Sequence, residues 1–157
     1  MLQPPARLID AHLHFGVLPA FPFYGGPPVH PDHNDRDPVE ELIADMDAEG
    51  TERALIIPNY GVPDPTHSFA LNERVVEAAG GNDRLSCALW ASPRPQDAEQ
   101  TDRALALAGE DPVKALKSSF LLGGSVEDDE CLVQLDKVFA AAKANDLVVH
   151  VHTSPGA

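Results

Sequence analysis

Strand and helix signals alternate along the whole chain, and that alternation predicts an α/β fold with parallel strands, right-handed crossovers and helices packed on the sheet. Two architectures fit the pattern, an open doubly wound sheet and a closed (β/α)8 TIM barrel. A dinucleotide-binding sheet wants a G-x-G-x-x-G turn after its first strand, whereas this turn reads His12-Leu13-His14-Phe15-Gly16. Barrels carry their chemistry at the C-terminal ends of the strands, which is where these histidines fall. A whole barrel takes about 250 residues. The 157 residues run through a fifth strand and are expected to form an incomplete β(αβ)4 portion, the N-terminal part of a single barrel over 1–157.

Each element has a local reason. The first strand is expected at Arg7–His14, followed by a loop over 15–37 rich in Pro, Gly and aromatics. Asp37 is placed to cap the first helix, with Pro38 at its first position and Glu40 in its first turn. Val39, Leu42, Ile43 and Met46 share a helical face, and Gly50 ends the helix. Arg53–Pro58 forms the second strand around the run Ala54-Leu55-Ile56-Ile57. The second helix spans about Ser68–Ala79, burying Leu71, Val75, Val76 and Ala79, and Gly80-Gly81 stops it. The third strand is Leu85–Trp90 and the third helix about Gln96–Ala108. The fourth strand is Val113–Ser118. Ser125 with Asp128 three residues on reads as a capping pattern for the fourth helix, which should bury Leu132, Leu135, Val138, Phe139 and Ala142 and end near Asn145. Leu147–Thr153 is the fifth strand.

Composition narrows the function. A formal charge of −14 repels phosphate backbones, so nucleic acid is not an expected partner. Cys87 and Cys131 each lie in an apolar context and read as buried thiols of a reducing compartment. No basic-then-apolar leader and no run of about 20 apolar residues is evident, so a cytoplasmic protein without a membrane partner is expected. A serine-nucleophile elbow, a P-loop and a Cys-x-x-Cys pair are all absent from the sequence, which argues against serine hydrolases, NTPases and thiol redox enzymes.

The positive signal is a set of histidines. Side chains alternate along a strand, so Asp10, His12 and His14 are expected on one face and Ile9, Ala11 and Leu13 on the other. Two neutral imidazoles two residues apart on a rigid strand make half of a divalent-metal site, with zinc–nitrogen distances of about 2.0–2.1 Å. The fifth strand carries His150 and His152 on one face, and odd-numbered strands of a barrel meet in the same interior layers. His152 lies nearer the rim and is the favoured ligand, with His150 the alternative. Lys117 on the fourth strand is placed to bind a substrate anion, to carry a metal-bridging carboxylate, or simply to snorkel to water.

Phe21, Phe23 and Tyr24 are candidates for an apolar substrate wall. The loop cluster of His30, Asp32, His33, Asp35 and Asp37 reads mainly as a solvated lid, and His67 as a surface or capping residue. Trp90 is placed either to line the mouth or to fill the core.

Ile9-Asp10-Ala11-His12-Leu13-His14 resembles the D-x-H-x-H signature of the amidohydrolase superfamily. The wider layout is similar to its branch of hydrolases and decarboxylases related to aminocarboxymuconate-semialdehyde decarboxylase. Supporting matches are Gly50–Ile56, Asn72–Val76, Arg84–Leu89, Val113–Lys117 and Val148–Thr153. The resemblance implies one divalent metal held by His12, His14 and His152. It also implies a later histidine and a general-base aspartate that fall after residue 157, so no catalytic acid–base residue is assigned within the sequence.

The resulting expectation is a metal-dependent hydrolase acting through metal-activated water on a small carboxylate, amide or ester. Zinc is favoured, with manganese or iron as alternatives. Asp10 would orient the first-strand ligands, and Lys117, Phe21 and Tyr24 would contact substrate. The rival readings are non-oxidative decarboxylation of an unsaturated acid and a non-catalytic barrel fragment. Exposed edges on strands one and five would favour association into a homo-oligomer.

Overall fold

The computed structural model describes residues 7–15, 38–58, 69–120 and 123–152. The order is β1 (Leu8–Phe15), α1 (Pro38–Glu49), β2 (Thr51–Pro58), α2 (Asn72–Gly80), β3 (Leu85–Trp90), a 3-10 turn (Pro95–Asp97), α3 (Ala98–Ala106), β4 (Val113–Ser119), α4 (Asp129–Asn145) and β5 (Val148–His152). All four strand pairings are parallel, in the order β1-β2-β3-β4-β5. Sequential order with helical crossovers is the barrel solution rather than the doubly wound one, in which the order reverses at a switch point.

The curl of the sheet can be read from one contact. In a flat sheet, strands about 4.8 Å apart would put β1 and β5 roughly 19 Å from each other. The rings of His12 on β1 and His150 on β5 instead lie 4.7 Å apart. The five strands therefore form the curved wall of a partial barrel, with helices outside.

Strand alternation puts apolar clusters on both faces of the sheet. On the helix side, Ala54, Ile56, Leu85, Cys87, Leu89 and Leu116 pack with Met46, Val75, Ala79, Val138 and Ala142 from the helices. On the concave side Ile57, Ala88 and Ala115 form a smaller cluster. Each fully buried aliphatic side chain in the larger cluster contributes roughly 1.5–3 kcal/mol. The cysteines are both free and buried. No helix among the described residues is long and apolar enough to cross a membrane.

Several local expectations are corrected. Asp128, not Ser125, caps α4: its carboxylate accepts from the backbone N–H of Glu130 and Cys131. Ser125 serves the preceding turn, its hydroxyl accepting from Glu127 N at 3.1 Å. A carboxylate beside the first free amides also gains from the positive end of the helix. The buried stripe of α4 is Cys131, Leu135, Val138 and Ala142, whereas Leu132 and Phe139 are 39% and 50% exposed. Those two residues sit roughly 70–90° around the helix from the centre of the buried stripe, at its flank.

β1 extends one residue further than expected, and Phe15 belongs to the core. Phe69 and Ala70 are already helical ahead of α2, whereas α3 begins at Ala98, after a 3-10 turn and later than the periodicity suggested. Gly50 ends α1 with a φ of +74°, the left-handed conformation that glycine adopts without a Cβ penalty. Asp37, and the loop over 16–37, lie outside the described residues.

Candidate metal centre

β1 does not alternate uniformly. Asp10 pairs with Ala54 but Leu13 with Ile56, so three steps on β1 face two on β2. The expectation that Asp10, His12 and His14 share one face fails at this register slip, because an extra residue in one strand reverses the facing of the residues beyond it. Asp10 pairs with a residue of the helix-side core, while His14 pairs with Ile57 of the concave cluster. The Asp10 carboxylate accepts the backbone N–H of His12 at 2.8 Å, pinning the irregular segment.

Within the slip and just beyond it, the imidazoles of His12 and His14 converge. Their Nε2 atoms lie 3.2 Å apart, with ring centroids at 4.9 Å and planes crossing at 72°. His150 meets the His12 ring edge-on at 4.7 Å. Beside it on β4, Lys117 pairs in register with His150 on one side and Trp90 on the other. Lys117 is 2% exposed and Trp90 1%. His152 is exposed at the rim in register with Ser119.

Burial and one shared cation set the electrostatics. Desolvation is the largest influence lowering the pKa of His12, His14 and His150, and the Lys117 ammonium lowers all three further. A hydrogen bond to the Pro58 backbone works in the opposite direction at His14. Each imidazole is thereby biased toward its neutral form, the form that can donate a lone pair to a metal. Lys117 is itself lowered by burial, with no acid among the described residues opposing the shift.

The donor set fits a divalent ion at two positions. Ligands about 2.0–2.1 Å from one tetrahedral zinc lie roughly 3.3–3.4 Å apart, close to the 3.2 Å between the Nε2 atoms of His12 and His14. Among the described residues, no group of three His, Cys, Asp or Glu side chains converges as a finished metal site. His150 contributes a ring contact to His12, and the charge of His152 acts on both His14 and His150. Phe21, Phe23, Tyr24, His30, Asp32, His33, Asp35 and His67 lie outside the described residues.

The amidohydrolase family profile matches residues 9–157, from the strand that carries the histidine pair onward. The chain belongs to the amidohydrolase family. Among solved structures, a probable 2-pyrone-4,6-dicarboxylic acid hydrolase from Acinetobacter baumannii, with citric acid bound, superposes with a TM-score of 0.53 at 12% identity. The superposition covers 95% of this chain and 50% of that one, so this amidohydrolase chain spans about half the length of that structure. At that identity the likeness concerns the fold alone. A radical S-adenosylmethionine methyltransferase from Kitasatospora setae, with tryptophan and a cofactor analogue bound, gives a TM-score of 0.41 at 15% identity over 76% of this chain and 24% of its own. That overlap is too slight to argue from. No protein of curated function matches the sequence.

Two features of this amidohydrolase site were not legible from sequence as parts of a site. Asn72 entered only through a resemblance, yet its amide is buried and bonded to Trp90. The loop after β3 is held by a polar network: Ser92 N donates to Thr101 Oγ1 at 3.0 Å, Ser92 Oγ to Asp97 at 2.7 Å, and Arg94 pairs with both oxygens of Asp97. The one signal for it was Ser92-Pro93-Arg94-Pro95, where two prolines restrict the backbone between the partners.

Proposed function

We propose that the protein is a metal-dependent hydrolase acting on a small, carboxylate-bearing ester or amide. The observation that carries this reading is the pair of Nε2 atoms at 3.2 Å, with the charge of the buried Lys117 acting on both rings. His12 and His14 would hold the cation, with His152 as the rim donor and His150 the alternative. A divalent ion so bound lowers the pKa of its water toward about 7 and polarises a carbonyl.

The chain's own residues do the rest. Asp10 holds the backbone of His12, and with it the separation of the two donors. Lys117 supplies a desolvated positive charge that a substrate carboxylate would neutralise, an interaction stronger in a dry site than in water. Trp90, beside it in register, adds an apolar wall that orients a planar acid. No general base is assigned among the described residues.

The test is metal analysis with an activity screen. Stoichiometric zinc, manganese or iron should be present in the purified protein and disappear in the His12→Ala/His14→Ala double variant. Cyclic esters bearing carboxylates, pyrone dicarboxylates included, are the first substrates to try, with citrate as a binding probe. Metal that persists in the double variant refutes the reading, and release of carbon dioxide instead of a ring-opened acid would convert it to decarboxylation.

A further inference from the structure

We propose that Asn72 is a positioning residue that sets Trp90 against Lys117, and so fixes the anion-binding wall of the site. The inference rests on the reading of Lys117 as the carboxylate anchor.

Among the described residues, the end of β3 runs past its pairing with β2. Pairing between β2 and β3 runs from Ala54↔Leu85 to Ile56↔Cys87, so the last residues of β3 extend beyond it. Peptide groups along a strand point alternately to its two neighbours. Ala91 N–H donates to Lys117 O at 2.8 Å, toward β4, so the N–H and C=O of Trp90 face the β2 side. There the Asn72 side chain takes the place of a strand: Trp90 N–H donates to Asn72 Oδ1 at 2.7 Å, and Asn72 Nδ2 donates to Trp90 O at 3.0 Å.

A primary amide is the side chain that reproduces both halves of a peptide group. Asn72 is 3% exposed, so removing its amide takes two hydrogen bonds from Trp90 in a buried setting, where a lost bond costs most. Ala88 lies in the concave cluster, and Trp90, two residues on, projects the same way. With Trp90 paired to Lys117 in register, holding the backbone of one holds the wall beside the other. Both of these Asn72 hydrogen bonds go to the Trp90 backbone, so its influence is expected first on this side of the site.

Trp90 is the only tryptophan, so its fluorescence reads the clamp directly. The experiment compares wild type, Asn72→Leu and Val138→Ala, the last being a truncation on α4 in the helix-side core that supplies a matched loss of stability. Three quantities are measured at a temperature where each variant is folded: emission wavelength with acrylamide quenching, bound metal, and citrate affinity. Asn72→Leu should shift the emission to the red, raise quenching, and weaken citrate binding about tenfold, the consequence of a mis-set site wall, while metal content stays at the wild-type level. Val138→Ala should leave all three unchanged. Unaltered emission in Asn72→Leu, or an equal shift in Val138→Ala, overturns the proposal. If wild type binds no metal or citrate, the functional reading fails, while the fluorescence arm still decides whether Asn72 positions Trp90.

Discussion

Replacing Lys117 by Met should stabilise the protein and abolish its affinity for carboxylates. Lys117 is 2% exposed, and burial alone pushes its ammonium down in pKa, with no carboxylate among the described residues to offset the cost. Methionine keeps most of the volume and flexibility of the stem and removes the charge. The same cation also lowers three neighbouring imidazoles, so its removal should let their pKa values rise. Replacing buried charge by well-packed apolar groups gains on the order of 1–3 kcal/mol in favourable cases. For a chain of this size that corresponds to a rise in Tm of about 2–10 °C.

The pH dependence carries a sign. A lysine whose folded pKa is lowered costs stability while it is charged in both states, below the folded value, and costs nothing above its ordinary 10.5. The advantage of Lys117→Met over wild type should therefore be full below the folded pKa and shrink as pH rises through it toward 10.5. Paired thermal melts of the two proteins across that range, with citrate titrations at pH 7, make the measurement. A variant less stable than wild type by more than about 1 kcal/mol would mean that Lys117 has a structural partner, and its role as an uncompensated buried charge would be refuted.

Three further outcomes are expected. His152→Ala should lower metal affinity at least about tenfold, measured by competition with a chromophoric chelator, whereas His150→Phe should spare it; the reverse result would move the third donor to His150. Burial raises the Cys87 thiol to about 12 from 9.0, so the unfolded chain ionises first and stability falls as pH climbs above 9.0, by about 1.4 kcal/mol per unit. Urea midpoints of wild type and Cys87→Ala at pH 8 and 10 should diverge accordingly, and parallel midpoints would contradict the assignment. Gly124 has a φ of +91° and a Cβ there would meet Cys131 Sγ at 2.9 Å. Gly124→Ala should thus lose roughly 1–3 kcal/mol by chemical denaturation, with Cys131→Ala recovering only the contact and not the backbone strain.

Much of the architecture was legible because it rests on local rules. Apolar runs such as Ala54–Ile57 and Leu85–Leu89 are too short for helices and too apolar for loops, and the intervening periodic stretches supplied the crossovers. Capping was less legible. Ser125 and Asp128 both carry acceptable side chains, and only the backbone path decides which one meets the free amides. The burial of Leu132 and Phe139 was over-assigned for a related reason. An apolar side chain on a helix gives a stripe but not its width, and the sheet covers only the side of α4 that bears Leu135 and Val138.

The site shows the limit of periodicity most sharply. Strict alternation would aim Asp10 with the histidines and suggest three donors on one face. The slip between Asp10 and Leu13 puts that acid in register with the helix-side core: its carboxylate holds the His12 N–H, and the Nε2 atoms of the two imidazoles lie 3.2 Å apart. A bulge leaves no mark in hydrophobicity, because it exchanges one residue of register for one backbone hydrogen bond. It is nevertheless the device that lets two imidazoles from a single strand approach a common point, since a β-strand with one extra residue twists and re-aims the side chains beyond it. The short polar residue that accepts its own chain two positions on, at Asp10, is thus the part of the D-x-H-x-H motif whose role is structural. Asp10→Asn, which keeps an acceptor for that N–H, should therefore retain metal far better than Asp10→Ala, and equal loss in the two would show that the carboxylate charge, not the brace, is what the site requires.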